Sequence, residues 1–283
     1  MPTPMGTDES LNIEGIKRLV NHLADSGLDG ILVGGSSGEY PVLTLDERKL
    51  LFKTAVEEAA GRCKIAVCCS MNSTRATKEL CSYAGEVGAD FILLMTPFDP
   101  PASEAEMIAY YKEIAKASTP GVIIYQYPSY TSQAITVDGI KELAREKNIL
   151  GIKNVDDLTS TVAIINGTKN EEFGVLSGTD EVFLGGMACG SDGFMGVGAA
   201  IAPSICRGIY DNFNSGKLKE AQEYHSKLCK IMEVIFGGNF PATLKVALEL
   251  QGFACGLPRR PAAAADMETR RRIQNVLAET GVL

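Results

Sequence analysis

The chain has 283 residues, of which 45% are hydrophobic and 22% charged, a composition typical of a globular domain with a sizeable core. The formal net charge is −8, and no basic run is longer than the pair at 259–260 apart from the three arginines at 270–272. This argues against a nucleic-acid partner, because phosphate binding needs a basic face. Two histidines and eight cysteines without C-x-x-C spacing make a zinc site or a histidine-based hydrolase improbable.

The sequence has no secretory signal pattern at its first residues and no apolar stretch of membrane-spanning length. We therefore expect a cytoplasmic protein with reduced thiols and no membrane partner.

Short apolar runs alternate with longer amphipathic segments along the chain. The runs are nearly unbroken, which is typical of parallel strands buried on both faces. The predicted strands are 30–33, 64–69, 90–95, 121–127, 149–153, 173–177 and 193–197. Helices are predicted at 11–25, 45–60, 75–87, 104–117 and 137–146, and Thr44 with Glu47 and Ser103 with Glu106 have capping-box spacing at two helix starts.

This alternation predicts an α/β fold, namely a (β/α)₈ TIM barrel, with an open doubly wound sheet as the alternative. The G-x-G-x-x-G turn typical of the open dinucleotide-binding sheet is absent. A barrel needs eight strands, so the first one is either very short within residues 1–5 or missing. Helical segments at 204–214, 218–236, 242–251 and 265–278 follow the last strand. We assign 1–214 to the barrel and 215–283 to a C-terminal helical extension of the same domain.

The reactive groups of a barrel stand at the carboxyl ends of its strands. Residues 34–39, Gly-Gly-Ser-Ser-Gly-Glu, follow the first predicted strand, and they suit either an anion cradle or a tight turn whose serines cap a helix. Lys153 ends an apolar strand, so its amine either reaches the rim or sits in the barrel mouth. In the mouth, burial would lower its pKa and make it nucleophilic, and Tyr125 on the neighbouring strand could move protons.

Motifs along almost the whole chain resemble those of the dihydrodipicolinate synthase/N-acetylneuraminate lyase family. They are Gly-Ser-Ser-Gly-Glu at 35–39 with Leu-Thr at 43–44, Leu-Met-Thr-Pro at 94–97, Tyr-x-x-Pro at 125–128, Gly-Ile-Lys at 151–153, Ser-Gly-Thr-Asp at 177–180, Gly-x-x-Gly at 190–193, Pro-Ala-Thr-Leu-Lys at 241–245 and Gly-Leu-Pro-Arg-Arg-Pro at 256–261. The resemblance implies a class I, metal-independent aldolase-type barrel, usually a homotetramer built as a dimer of dimers. It implies no cofactor beyond a covalent lysine Schiff base.

The resemblance also implies roles for individual residues. Lys153 matches the Schiff-base lysine and Tyr125 the catalytic tyrosine. Ser36 and Ser37 match the hydroxyl pair that binds the keto acid carboxylate and supports proton transfer, and Gly178 matches a glycine lining the same pocket.

The chain departs from the family pattern where the second substrate would bind. Tyr130 stands where a dihydrodipicolinate synthase carries a carboxylate-binding arginine, and Asp99 stands where it carries a second tyrosine. Asp180 and Glu181 resemble residues that contact a polyol chain in sialate lyase. Met195, in the last predicted strand, completes the expected substrate contacts, and the apolar 196–200 stretch follows it.

From these features we expect a lyase, either an aldolase or a dehydratase, that acts on a 2-oxo acid with pyruvate as substrate or product. A 2-oxo-3-deoxy sugar acid or a 4-hydroxy-2-oxo acid would suit the substituted positions. The alternative is 4-hydroxy-tetrahydrodipicolinate synthase, which joins pyruvate to aspartate semialdehyde. A non-catalytic keto-acid sensor is a third hypothesis. The presence of both Lys153 and Tyr125 argues against it.

Overall fold

A computed structural model describes residues 1–283. Seven strands form one sheet whose spatial order follows the sequence, and the neighbouring pairs from the second strand to the seventh are parallel. The strands are β1 Gly30–Val33, β2 Lys64–Cys68, β3 Phe91–Met95, β4 Gly121–Gln126, β5 Ile149–Asn154, β6 Gly174–Ser177 and β7 Gly193–Phe194.

Thirteen α-helices accompany the strands. They are α1 Ile13–Ala24, α2 Leu45–Ala59, α3 Thr74–Glu86, α4 Glu104–Ala117, α5 Pro128–Thr131, α6 Val137–Leu143, α7 Leu158–Thr168, α8 Phe183–Ala188, α9 Gly198–Ile201, α10 Pro203–Asn214, α11 Leu218–Phe236, α12 Ala242–Leu250 and α13 Met267–Thr280. Short 3₁₀ segments lie at Tyr40–Val42 and Asp180–Val182. No helix is long and apolar enough to span a membrane.

The predicted elements agree with the structure except at their ends. Both predicted capping boxes form, at the starts of α2 and α4. All six residues of β4 are buried, as expected for a strand covered on both faces. β7 is shorter than predicted, and the Phe194 ring at its end lies against the backbone of Gly196, where an added Cβ would lie 2.0 Å from the ring. Only glycine leaves room for that contact, and the chain then turns into α9.

Residues 1–5 form no regular strand. The Met1 amino group donates to the Leu32 carbonyl oxygen at 2.8 Å, and Met5 makes only an isolated antiparallel bridge to Leu11. The amide of Met5 also donates to the Cys255 carbonyl oxygen at 3.0 Å. This agrees with the expectation that the first barrel strand is very short or missing.

The chain forms two compact units. Unit 1 contains residues 1–65 and 197–283, which include β1, α1, α2 and the helices from α9 to α13. Unit 2 contains residues 66–196, which include the strands from β3 to β7 and their helices.

An arginine clamp joins distant segments within unit 1. The Arg259 guanidinium donates to both carboxylate oxygens of Glu47 at 2.7 Å and to the Val42 carbonyl oxygen at 2.8 Å. Hydrogen bonds from Arg259, followed by those from Thr44, lower the pKa of Glu47 to about 2. A bidentate arginine–carboxylate pair of this kind fixes the orientation of the two groups as well as pairing their charges. It therefore ties the segment after α12 to the start of α2.

We expect Glu47→Gln to lower the free energy of unfolding at pH 7 by about 1–2 kcal/mol, a value discounted for the partial solvent access of the pair. The folded pKa of about 2 lies below the ordinary 4.5, so the contribution is complete above pH 4.5 and is lost as the pH falls towards 2. Urea unfolding at pH 7 and pH 3.5 measures it. Glu57→Gln, which alters an exposed 3.8 Å pair, is the control. An equal cost of Glu47→Gln at both pH values would contradict this account.

Candidate active site

Lys153 and Tyr125 lie side by side at the carboxyl ends of two neighbouring strands. They are paired in the parallel register of β4 and β5, so their side chains project to the same face. The Lys153 Nζ atom lies 4.4 Å from the centre of the Tyr125 ring. Lys153 is 8% exposed and Tyr125 is 2% exposed. The structure therefore brings together the predicted nucleophile and the predicted proton donor.

The environment of Lys153 favours its neutral form. Burial lowers the pKa of Lys153 to about 8, while the charge of Asp180, and then that of Cys68, acts in the opposite direction. Desolvation outweighs the carboxylate because an ammonium ion loses much of its hydration in a buried site. An amine with this pKa is partly neutral near pH 7 and can act as a nucleophile.

Gly178 provides the space for the lysine side chain. A Cβ atom at this position would lie 3.0 Å from Lys153 Cε and 2.5 Å from Val155 Cγ2. The Gly178 amide also donates to the Asn154 carbonyl oxygen at 2.8 Å. The glycine thus lies against the Lys153 side chain, as expected for a residue that lines the predicted pocket.

The other residues predicted for the second substrate have different environments. Asp180 is 1% exposed, and its Oδ2 atom would lie 3.0 Å from a Cβ atom at Gly196. Met195 is half-buried, and its amide donates to the Ser177 carbonyl oxygen at 2.9 Å. Glu181 and Asp99 are exposed. Of this group, Asp180 is the residue whose charge acts on Lys153.

Tyr130 belongs to a row of aromatic rings that begins at Tyr125. The Tyr125 and Tyr127 rings are stacked with centres 6.0 Å apart, and Tyr127 stacks on Tyr130 at 5.7 Å. At the end of the row the Tyr130 and Phe98 rings meet edge to face, with their centres 5.6 Å apart. Tyr130 is 44% exposed, so the row leads from the buried lysine region to the surface. Tyr127 was not among the predicted site residues, although it lies two residues after Tyr125 in the predicted strand and residues two apart on a strand share a face.

Cys68 is a second residue that sequence analysis did not assign to the site. Its side chain is buried, contacts the Ser70 hydroxyl at 3.2 Å, and interacts electrostatically with Lys153. Its position near the end of β2, at the same sheet edge as Lys153, was the available signal.

Ser36 and Ser37 lie in the turn that follows β1 in unit 1. The turn is closed by hydrogen bonds from the Gly38 amide to the Gly35 carbonyl oxygen at 2.9 Å and from the Glu39 amide to the Ser36 carbonyl oxygen at 3.1 Å. The compact backbone suits both interpretations of this segment, and the carboxylate-binding role of the two serines stays a prediction. No group of three or more His, Cys, Asp or Glu side chains is arranged to hold a metal ion.

Comparisons with known proteins give one consistent result. The model of the Dihydrodipicolinate synthetase family matches residues 1–280. The chain is 33% identical over 282 residues to 4-hydroxy-tetrahydrodipicolinate synthase of Methanoculleus marisnigri, covering 99% of this chain and 97% of the relative. It is 32% identical to the synthase of Moorella thermoacetica, covering 100% and 97%.

Solved structures agree. Dihydrodipicolinate synthase DapA-2 of Bacillus anthracis aligns with a TM-score of 0.94 at 30% identity, covering 98% of this chain and 95% of that one. YagE, a prophage protein of the same family from E. coli K12 solved with pyruvate, aligns with a TM-score of 0.94 at 28% identity, covering 100% and 97%. A monomeric dihydrodipicolinate synthase variant aligns at 0.95 and 29%, covering 100% and 95%.

The predicted (β/α)₈ fold class with C-terminal helices is confirmed by this agreement over nearly the full length. The prediction that the chain is an enzyme of a class I Schiff-base lyase family is confirmed as well. The chain belongs to the dihydrodipicolinate synthetase family.

Proposed function

We propose that the enzyme forms a Schiff base between Lys153 and a 2-oxo acid, with pyruvate as a substrate or product. The observation that carries this proposal is the buried Lys153 amine, whose pKa is lowered to about 8, next to the Tyr125 ring. A non-catalytic sensor would need neither a neutral amine nor a neighbouring phenol.

The chemistry follows from these two groups. The neutral amine adds to the C2 carbonyl, and loss of water from the resulting carbinolamine gives a protonated imine. Removal of a C3 proton then gives an enamine that attacks an aldehyde, or cleavage of the C3–C4 bond gives the same enamine in reverse. Tyr125 would donate and accept the protons. The imine nitrogen receives the electron pair, so we propose that the reaction needs no metal and no further cofactor.

The substrate carboxylate would bind at Ser36 and Ser37. Hydroxyl groups and the amides of a glycine-rich turn donate hydrogen bonds to an anion without adding a positive charge.

The identity of the second substrate separates two candidate functions. The names of the relatives support 4-hydroxy-tetrahydrodipicolinate synthase, and this support is stronger than that for a sugar-acid lyase. One observation favours the lyase: Tyr130, in a row of aromatic rings, occupies the position of the synthase arginine. An aromatic ring cannot make the two parallel hydrogen bonds that an arginine makes to a carboxylate.

We further propose a cytoplasmic homotetramer. The support for the tetramer is the family resemblance alone, and one solved structure with this fold is of a monomeric variant.

The first prediction concerns the covalent intermediate. Borohydride added with pyruvate should reduce the imine and leave a pyruvyl mass on the peptide that contains Lys153. Lys153→Arg should abolish both labelling and turnover, because a guanidinium stays protonated. Tyr125→Phe should slow turnover by about 10²–10⁴-fold, the usual scale for an acid–base group, while some trapping persists. Labelling on a different lysine would overturn the mechanism.

The second prediction concerns pH. The neutral fraction of Lys153 grows as the pH rises through about 8, so the rate of imine trapping at low pyruvate should rise through that pH and level off above it. Asp180→Asn removes a charge that raises the pKa of Lys153, so the midpoint should move to lower pH. Asp156→Asn, on a half-buried residue beyond β5, is the control. An unmoved midpoint in Asp180→Asn would show that this carboxylate does not act on the amine.

The third prediction separates the two candidate functions. Purified enzyme is assayed for condensation of pyruvate with aspartate semialdehyde and for pyruvate release from 2-oxo-3-deoxy sugar acids and 4-hydroxy-2-oxo acids. Selective condensation establishes the synthase and means that another group replaces the arginine. Selective cleavage establishes the lyase, and Tyr130→Arg should then weaken it. Prior incubation with EDTA should leave either rate unchanged.

A further inference from the structure

A buried ion pair involves the last residue of the turn that carries Ser36 and Ser37. The Lys245 Nζ atom lies 2.6 Å from the Glu39 Oε1 atom, and the two side chains are 1% and 5% exposed. Glu39 is the last residue of the 34–39 turn, and Lys245 is on α12. Both belong to unit 1. A buried pair of this kind is costly to desolvate, so its stabilising value alone does not explain it.

Further hydrogen bonds determine where this pair can sit. The Lys245 amine donates to the Leu257 carbonyl oxygen at 2.9 Å. The other Glu39 oxygen, Oε2, accepts from the Arg259 amide at 2.7 Å. The Glu39 carboxylate is therefore bound by two groups from two different parts of the C-terminal segment. The carboxylate is therefore held from outside the turn, by α12 and by the 255–260 stretch.

The backbone of the turn needs such an external anchor. Glu39 has a φ of +61° and Gly34 a φ of +64°, and the left-handed region is uncommon for a residue with a side chain. At Gly38 an added Cβ would lie 2.9 Å from the Gly34 Cα atom, so the turn folds tightly onto its own start. The Thr3 hydroxyl donates to the Gly38 carbonyl oxygen at 2.6 Å. A strained conformation persists only where its surroundings determine it.

We propose that Lys245 is a positioning residue for the substrate carboxylate, acting through Glu39. The ion pair sets the conformation of the 34–39 turn, and the turn presents the Ser36 and Ser37 hydroxyls and amides in the geometry that receives the keto acid carboxylate. This inference rests on the proposed function. It adds that the affinity for pyruvate is determined in part by α12, through the Lys245 side chain.

A positioning role differs measurably from a purely structural one. A structural pair affects the free energy of unfolding, and replacing both charges by neutral groups often restores it. A positioning pair affects the affinity for the carboxylate, and two neutral groups would not restore the turn geometry. The readout is therefore the pyruvate concentration that gives half-maximal borohydride trapping on Lys153, measured by mass, together with the thermal unfolding midpoint.

The variants are Lys245→Met, Glu39→Gln and the double variant. We expect half-saturation to rise by about 10-fold or more in each, the scale for losing a hydrogen bond to a charged group. The trapped fraction at saturating pyruvate should stay near that of the wild type, because Lys153 itself is unaltered. Lys230→Met is the matched control, since Lys230 and Glu279 form an exposed pair of the same type, and it should leave half-saturation unchanged.

Glu39→Asp keeps the charge and shortens the side chain by one methylene group, so it tests the geometry in a chain that folds. It should raise half-saturation several-fold with a small change in the unfolding midpoint. Wild-type half-saturation in Glu39→Asp and in any other folded variant of the pair would overturn the proposal, as would full recovery of affinity in the double variant. Absence of trapping in the wild type would instead refute the Schiff-base function, so the two failures are distinguishable.

Discussion

The register between β4 and β5 is the constraint on which the site depends. It places Tyr125 opposite Lys153, and the burial of both strands removes water from around the amine. A shift of one residue would turn either side chain to the opposite face of the sheet. The pairing of β4 with β5 thus determines that Lys153 lies next to Tyr125. It also determines how strongly the Lys153 amine is desolvated, and a nucleophilic amine needs both.

Two buried lysines show how their surroundings determine their roles. Burial lowers the pKa of both Lys153 and Lys245. Lys245 lies 2.6 Å from the Glu39 carboxylate and donates to a carbonyl oxygen, an arrangement that suits a permanent charge. Lys153 lies over an aromatic ring, and the opposing effect of Asp180 does not offset its burial. The same residue type thus has two different environments, an ion pair at Lys245 and an aromatic ring at Lys153, which suit the two proposed roles.

The contrast between Tyr130 and the names of the relatives has a physical basis. The groups proposed to handle the 2-oxo acid, namely Lys153, Tyr125 and the serine-bearing turn, lie in motifs that resemble those of the family. In the proposed mechanism the partner substrate would contact a different set of side chains, which can change without affecting imine formation. Identity of about 30% to synthases thus strongly supports the shared family chemistry. It supports the identity of the aldehyde substrate less directly.

The sequence alone determined the α/β alternation, both capping boxes and the placing of Lys153 and Tyr125 on neighbouring strands. Each of these depends on periodicity or on local spacing, which can be read from a few consecutive residues. The tertiary structure decided the short β7, the row of rings at Tyr127, the space that Gly178 leaves for the lysine, and the pair between Glu39 and Lys245. These depend on which surfaces pack together. Segments far apart in the chain come into contact only when the core forms, and no local pattern carries that information.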